Sequence, residues 1–139
     1  MRNKILVIDG QGGNMGSQLI KLIKEQLPEA EIRAVGTNST ATATMLKAGA
    51  AMAATGENAV VVGCRKADII VGPMGIVIAD ALMGEITPKM AKAVGQSEAM
   101  RILIPVNKCE TLVAGVGSVP MAQLLQDAVD KIVMLTAQP

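Results

Sequence analysis

The feature that most constrains this chain is the junction near its start. Lys4-Ile5-Leu6-Val7-Ile8 is a β-rich apolar run that ends in Asp9, and glycine then stands at positions 10, 12, 13 and 16. A continuous apolar run, in place of alternation, suits a strand covered on both faces, as in a parallel sheet. From 15 to 27 the apolar residues Met15, Leu19, Leu22, Ile23 and Leu27 recur at helical spacing, Lys21, Lys24 and Glu25 fall on the other side, and Pro28 marks a stop. The start of the chain therefore reads as strand, glycine turn and helix.

The same alternation continues. Residues 31–36 predict a second strand, and Asn38 or Ser39 can cap a helix running through Met45 and Lys47 to Gly49. A third strand is expected at 51–55, a helix at 57–66 and a fourth strand at 69–72. Glu57 at the start of that helix and Arg65 and Lys66 at its end suit the helix dipole, although Val60-Val61-Val62 also allows a strand over 59–63. Residues 75–83 predict a helix ended by Gly84. Thr87 followed by Pro88 reads as an N-cap with proline at the first helical position of a helix reaching about 95. Two last strands are expected at 101–106 and 111–116. A closing helix over 120–135 carries Leu124, Leu125, Ala128, Val129, Ile132 and Val133 on its apolar side. Strands alternating with helices imply a three-layer α/β domain. The expected sheet is mostly parallel, in the order 3-2-1-4-5, with a sixth strand extending one edge.

Composition narrows the chemistry. The 139 residues suit one domain with a sizeable core, leaving no room for a second. Thirteen basic against twelve acidic side chains provide no electrostatic footprint for nucleic acid or an anionic membrane, and without Phe, Trp or Tyr there is nothing on which bases could stack. No His is present, which removes the usual general base and metal ligand, so chemistry would fall to Asp, Glu, Lys, Cys or a cofactor. Cys64 and Cys109 stand too far apart in sequence for a CxxC site, and no signal-peptide pattern is seen, so a reduced, cytoplasmic protein is expected. Apolar runs fall short of the roughly 18 residues that cross a bilayer. Ten Met would fill core gaps that aromatic residues fill elsewhere.

Glycines between a strand and a helix let backbone amides approach a phosphate that the helix N-terminus attracts, though such a turn can also serve packing alone. The candidate cofactor-binding loop is Asp9, Gly10, Gln11, Gly12, Gly13, Asn14, Met15 and Gly16. Asp9 would repel a pyrophosphate, so it is expected to accept hydrogen bonds from its own loop or to bind a ligand hydroxyl or amine. After the second strand an NAD site would present an acid to the ribose; here stand Thr37, Asn38 and Ser39, which favour the 2′-phosphorylated dinucleotide or simply cap a helix. Gly72 and Pro73 close the fourth strand. In an open parallel sheet these strand ends share one edge, together with residues 55–58 and 107–109. Lys108 is the candidate proton donor or anion contact and Glu57 a second proton carrier, against ordinary readings of a solvated charge and a helix-start charge. Cys109 suits a small core residue. No metal site is expected.

Locally, G-Q-G-G-N-M-G resembles the opening of dihydrodipicolinate reductases, G-A-G-G-R-M-G, which implies binding of NAD(P)H. Asn14 stands where those enzymes carry a basic residue, and their catalytic half has no counterpart. The chain as a whole resembles a family of short bacterial proteins classed as a domain of unknown function. The segments that carry this likeness are G-Q-G-G, T-N-S-x-A-T-x-x-M-L-K-A-G-A, A-T-G-E-N-A, A-D-I-I-V-G-P-M-G-I-V-I-A-D, G-E-I-T-P and I-L-I-P-V-N-K-C. That resemblance implies a Rossmann-like fold and assigns no activity. The expectation from sequence is a nucleotide-binding protein, with NAD(P) as the favoured ligand and no nucleic-acid or membrane partner. A homo-oligomer is expected by analogy with minimal domains that borrow a wall from a second copy. The rival expectation is a non-catalytic small-ligand sensor or an assembly module.

Overall fold

Five parallel strands form one sheet in the order β3-β2-β1-β4-β5. The computed structural model describes residues 3–106 and 110–138. The strands are β1 (Lys4–Asp9), β2 (Glu31–Gly36), β3 (Met52–Thr55), β4 (Ile69–Pro73) and β5 (Met100–Ile104). Between them lie α1 (Asn14–Gln26), α2 (Ser39–Lys47), α3 (Glu57–Lys66) and α4 (Pro88–Gln96), with α5 (Met121–Thr136) closing the chain.

Side-chain alternation along β1 divides the interior in two, because successive residues of a strand face opposite sides. Ile5 and Val7 pack into one core with Leu19, Ile20 and Ile23 of α1, Met45 of α2 and Ile132 of α5. Leu6 and Ile8 join the other with Val60 and Cys64 of α3 and Met90 and Val94 of α4. This double covering explains why β1 reads as a continuous apolar run. Fully burying one such aliphatic side chain contributes about 1.5–3 kcal/mol.

Local signals set most boundaries. The Asn38 side chain accepts from the Ala41 amide at 2.9 Å and starts α2. Thr87 caps α4 through the Met90 amide at 3.1 Å, with Pro88 in the first turn, where its missing N–H costs nothing. Residues 59–63 lie within α3, so the strand alternative falls: Val60 and Cys64, four apart, present one buried stripe to the second core.

Two expectations need correction. Residues 75–83 do not form an α-helix. A short 3-10 turn, Met74–Val77, leads into a loop in which Asp80, Leu82, Met83 and Gly84 all take positive φ. The loop closes on itself through bonds from the Asp80 amide to the Ile86 carbonyl (2.7 Å) and from the Ile86 amide to the Ala81 carbonyl (3.1 Å). Burial of Ala81, Leu82 and Ile86 in the second core prevails over helical propensity, and the turn throws Met83 outward, 97% exposed. The sixth strand expected at 111–116 is likewise not formed. Leu112, Ala114 and Val116 are all exposed, so this run has no apolar face to bury against β5, and Gly115 breaks it with a φ of 83°.

Candidate functional site

The C-terminal ends of the strands gather the loops that the sequence marked. From β1 the chain moves outward through β2 to β3, whereas β4 lies on the other flank of β1 and continues to β5. The loops after β1 and β4 therefore lead to helices on opposite faces, and this switch in strand order is where open α/β sheets hold their ligands.

The loop after β1 is built around Asp9, which is 6% exposed. Its Oδ1 accepts from the Gly10 amide and its Oδ2 from the Gly16 amide, each at 2.8 Å. The residue that caps α1, Gly13, has no side chain to offer, so Asp9 satisfies a first-turn donor from seven positions upstream. Burial raises the Asp9 carboxyl above the usual aspartate value; the two amides pull it back and the nearby Glu85 charge adds to the rise, leaving it raised overall. Of the two roles foreseen for Asp9, service to its own loop is the one seen.

The glycines divide by duty. Gly13 has a φ of 73°, and a Cβ there would lie 2.7 Å from the Ala41 carbonyl oxygen and 2.8 Å from its Cα, so this glycine lets α1 and α2 approach. Gly16 faces Met45 Sδ at 2.6 Å and Asp9 Cβ at 3.0 Å in the same sense. Gly12 differs: it has no atom within 4 Å of a Cβ position and no positive φ. Among the described residues, the amides of Gly12, Asn14 and Met15 meet no protein acceptor.

A residue that the sequence reading did not single out completes the site. Glu85 arrives on the loop after β4, and its Oε1 accepts from the Gln11 amide at 2.9 Å, from Asn38 Nδ2 at 2.9 Å and from the Thr37 hydroxyl. Asn38 Nδ2 also donates to the Gln11 carbonyl at 2.8 Å, and the Thr37 amide donates to the Asp9 carbonyl at 3.0 Å. Asp9, Gln11, Thr37, Asn38 and Glu85 thus form one bonded cluster. Partial burial pushes the Glu85 carboxyl up, but the bonds from Thr37, Gln11 and Asn38 outweigh it and hold the group below its ordinary value. The signal was present in the segment G-E-I-T-P, where Gly84 takes the tight turn ahead of the acid.

The remaining candidates lie elsewhere on this edge. Ser39 is exposed at the first position of α2. Gly72 and Pro73 are buried at the end of β4, with Gly72 packed against the Ile8 carbonyl. Glu57 accepts from the Thr87 hydroxyl at 2.6 Å, tying α3 to the start of α4 and not to the glycine loop. Lys108, with Asn107 and Cys109, lies outside the described residues. Among the described residues no group of three His, Cys, Asp or Glu could hold a metal, and no helix is long and apolar enough to cross a membrane.

A parallel five-stranded sheet with helices on both faces and a glycine turn after β1 defines a Rossmann-like α/β domain. Within that class the family is shown: residues 4–137 match the domain of unknown function DUF3842, and the chain belongs to it. No curated protein and no solved structure matches the chain.

Proposed function

We propose that this protein binds a nucleotide at the strand ends beside β1, where the strand order switches, with the dinucleotides NAD and NADP as the best fit. The observation that carries this reading is the contrast within the loop. Asp9 and Glu85 occupy the amides of Gly10, Gly16 and Gln11, whereas those of Gly12, Asn14 and Met15, at the positive end of α1, keep their donors beside the open space at Gly12. A pyrophosphate suits those three amides, and the Glu85 cluster suits sugar hydroxyls. A nicotinamide cofactor supplies hydride-transfer chemistry when bound. Lys108 remains the candidate for moving a proton in any reaction there, whereas Glu57 is engaged by Thr87 away from the glycine loop.

The rival reading, a non-catalytic sensor or assembly module, draws on the outward Met83 and on Met52 and Met100, which are exposed on the two edge strands of the sheet. Those edges favour a homo-oligomer over a lone chain.

Thermal melting followed by circular dichroism, with NAD, NADP, their reduced forms, ATP, FMN or S-adenosylmethionine, tests the nucleotide reading. A ligand at a hundred times its Kd adds about 2.7 kcal/mol, a rise of roughly 10 °C for a domain of this size. Gly12→Asp, which has room for its side chain, keeps the fold and abolishes that rise by placing a carboxylate against the phosphate. Absence of a shift with every nucleotide, or an unchanged shift in Gly12→Asp, refutes the site.

A further inference from the structure

Resting on the nucleotide reading above, we propose that Glu85 discriminates between the two nicotinamide dinucleotides, accepting the hydroxyls of an unphosphorylated adenosine ribose and excluding a ribose 2′-phosphate. Three observations converge on this role.

The first is position. Glu85 bonds at once to Gln11 in the loop after β1 and to Thr37 and Asn38 just beyond β2, so its carboxylate stands where those two loops meet. In a sheet of this order, that meeting point receives the sugar of a nucleotide whose phosphates rest on the first helix. The acid that such a site needs is missing from the end of β2, where Thr37-Asn38-Ser39 stands. The fold brings it in from the loop after β4.

The second is donor accounting. Of the three residues that could have bonded a 2′-phosphate, Thr37, Asn38 and Ser39, the first two turn their donors onto Glu85 Oε1, and only the exposed Ser39 at the start of α2 does not. Asn38 Oδ1 is likewise engaged, on the Ala41 amide. Glu85 Oε2 meets no donor among the described residues and remains an acceptor for hydroxyls. A vicinal diol donates to a carboxylate; a phosphate dianion cannot.

The third is charge. Among the described residues no lysine or arginine pairs with Glu85, and Asp9 adds a second carboxylate close enough to be felt. A 2′-phosphate would enter against two like charges, with the Thr37 and Asn38 donors already committed. The sequence-based preference for the phosphorylated dinucleotide is thereby reversed.

Titration calorimetry of the full chain with NAD and with NADP tests the assignment, in the parent and in Glu85→Gln. The parent is expected to bind NAD roughly tenfold or more tightly than NADP, as like-charge repulsion at contact requires. Glu85→Gln, checked for folding by circular dichroism, is expected to bring the two affinities to near equality, chiefly by improving NADP. Equal affinities in the parent, tighter binding of NADP, or a preference for NAD that persists unchanged in folded Glu85→Gln overturns the role of Glu85 while leaving the nucleotide site standing. The comparison within the parent needs no variant. Failure of both dinucleotides to bind the parent removes the dinucleotide reading, and this inference with it.

Discussion

Glu85, on the loop that follows β4, accepts the hydroxyl of Thr37, which follows β2, and so reaches across the end of β1 that lies between them. One carboxylate oxygen holds three loops together, because the same atom takes the Gln11 amide. The cluster therefore has a structural share as well as the recognition role proposed for it, and the two separate by experiment.

Removing this brace should cost stability. Glu85→Ala leaves three donors without their acceptor, and, with water able to replace it at a half-buried position, the loss is about 1–2 kcal/mol at pH 7. Urea denaturation of parent and variant measures it. Because the folded-state carboxyl is held below its ordinary value, the contribution is complete above the usual glutamate pKa of about 4.3 and disappears as pH falls through the lower folded value. The gap between parent and variant should therefore be constant from pH 7 to about 5 and close in more acid solution.

Asp9 should respond in the opposite sense to pH. Its carboxyl is raised by burial, so the ionised form is the disfavoured one, and Asp9 contributes most stability below the usual aspartate value and loses it as pH rises through the raised one. Its hydrogen bonds nevertheless make substitution costly. Asn at position 9 offers one acceptor where two amides donate, setting its own NH2 against the other, and Asp9→Asn should lose about 1–3 kcal/mol at neutral pH by urea denaturation.

The loop glycines should fail in distinct ways. Gly13→Ala combines a left-handed backbone with contact against the Ala41 backbone and should destabilise by roughly 2–5 kcal/mol. Gly16→Val presses on Met45 and Asp9 and should cost about 1–3 kcal/mol. Gly12→Ala meets nothing and should be neutral or stabilising by up to about 1 kcal/mol. Melting temperatures of the three variants, which must fall in the order Gly12, Gly16, Gly13, check this ranking.

Cys64 should be inert while the chain is folded. It is buried between α3 and the sheet, and burial pushes its thiol up to about 11. At pH 8 only about a thousandth of it is thiolate, so in a Cys109→Ser background iodoacetamide should label Cys64 at least roughly a hundredfold more slowly in buffer than in urea. Equal rates in the two conditions would contradict the burial.

Much of the architecture is legible in sequence because it is decided over short distances. The run Ile5 to Ile8, the helical spacing from Met15 to Leu27, the cap at Asn38 and the Thr87-Pro88 start of α4 each act within a turn or two of the chain. The glycine loop is legible for the same reason, as is the alternation that makes the sheet parallel. The 79–86 loop is not, because the burial of Leu82 and Ile86 depends on a core assembled by distant strands. Nor is the fate of residues 111–116, whose apolar residues read as a strand until no surface is found for them.

The site divides along the same line. Sequence alone determined that amides would converge at the start of α1 and that polar residues would follow β2, since chain direction and steric demands on glycine are local. Only the tertiary structure decided which donors meet which acceptors. Glu85 lies 74 residues from Gln11 and 48 from Thr37, so the turn at Gly84 marks an acid on a tight loop without revealing which groups it will meet. Its place is set by the turn at Gly84 and by the packing of Leu82 against Gly10, long-range contacts that form only once β1 and β4 lie side by side.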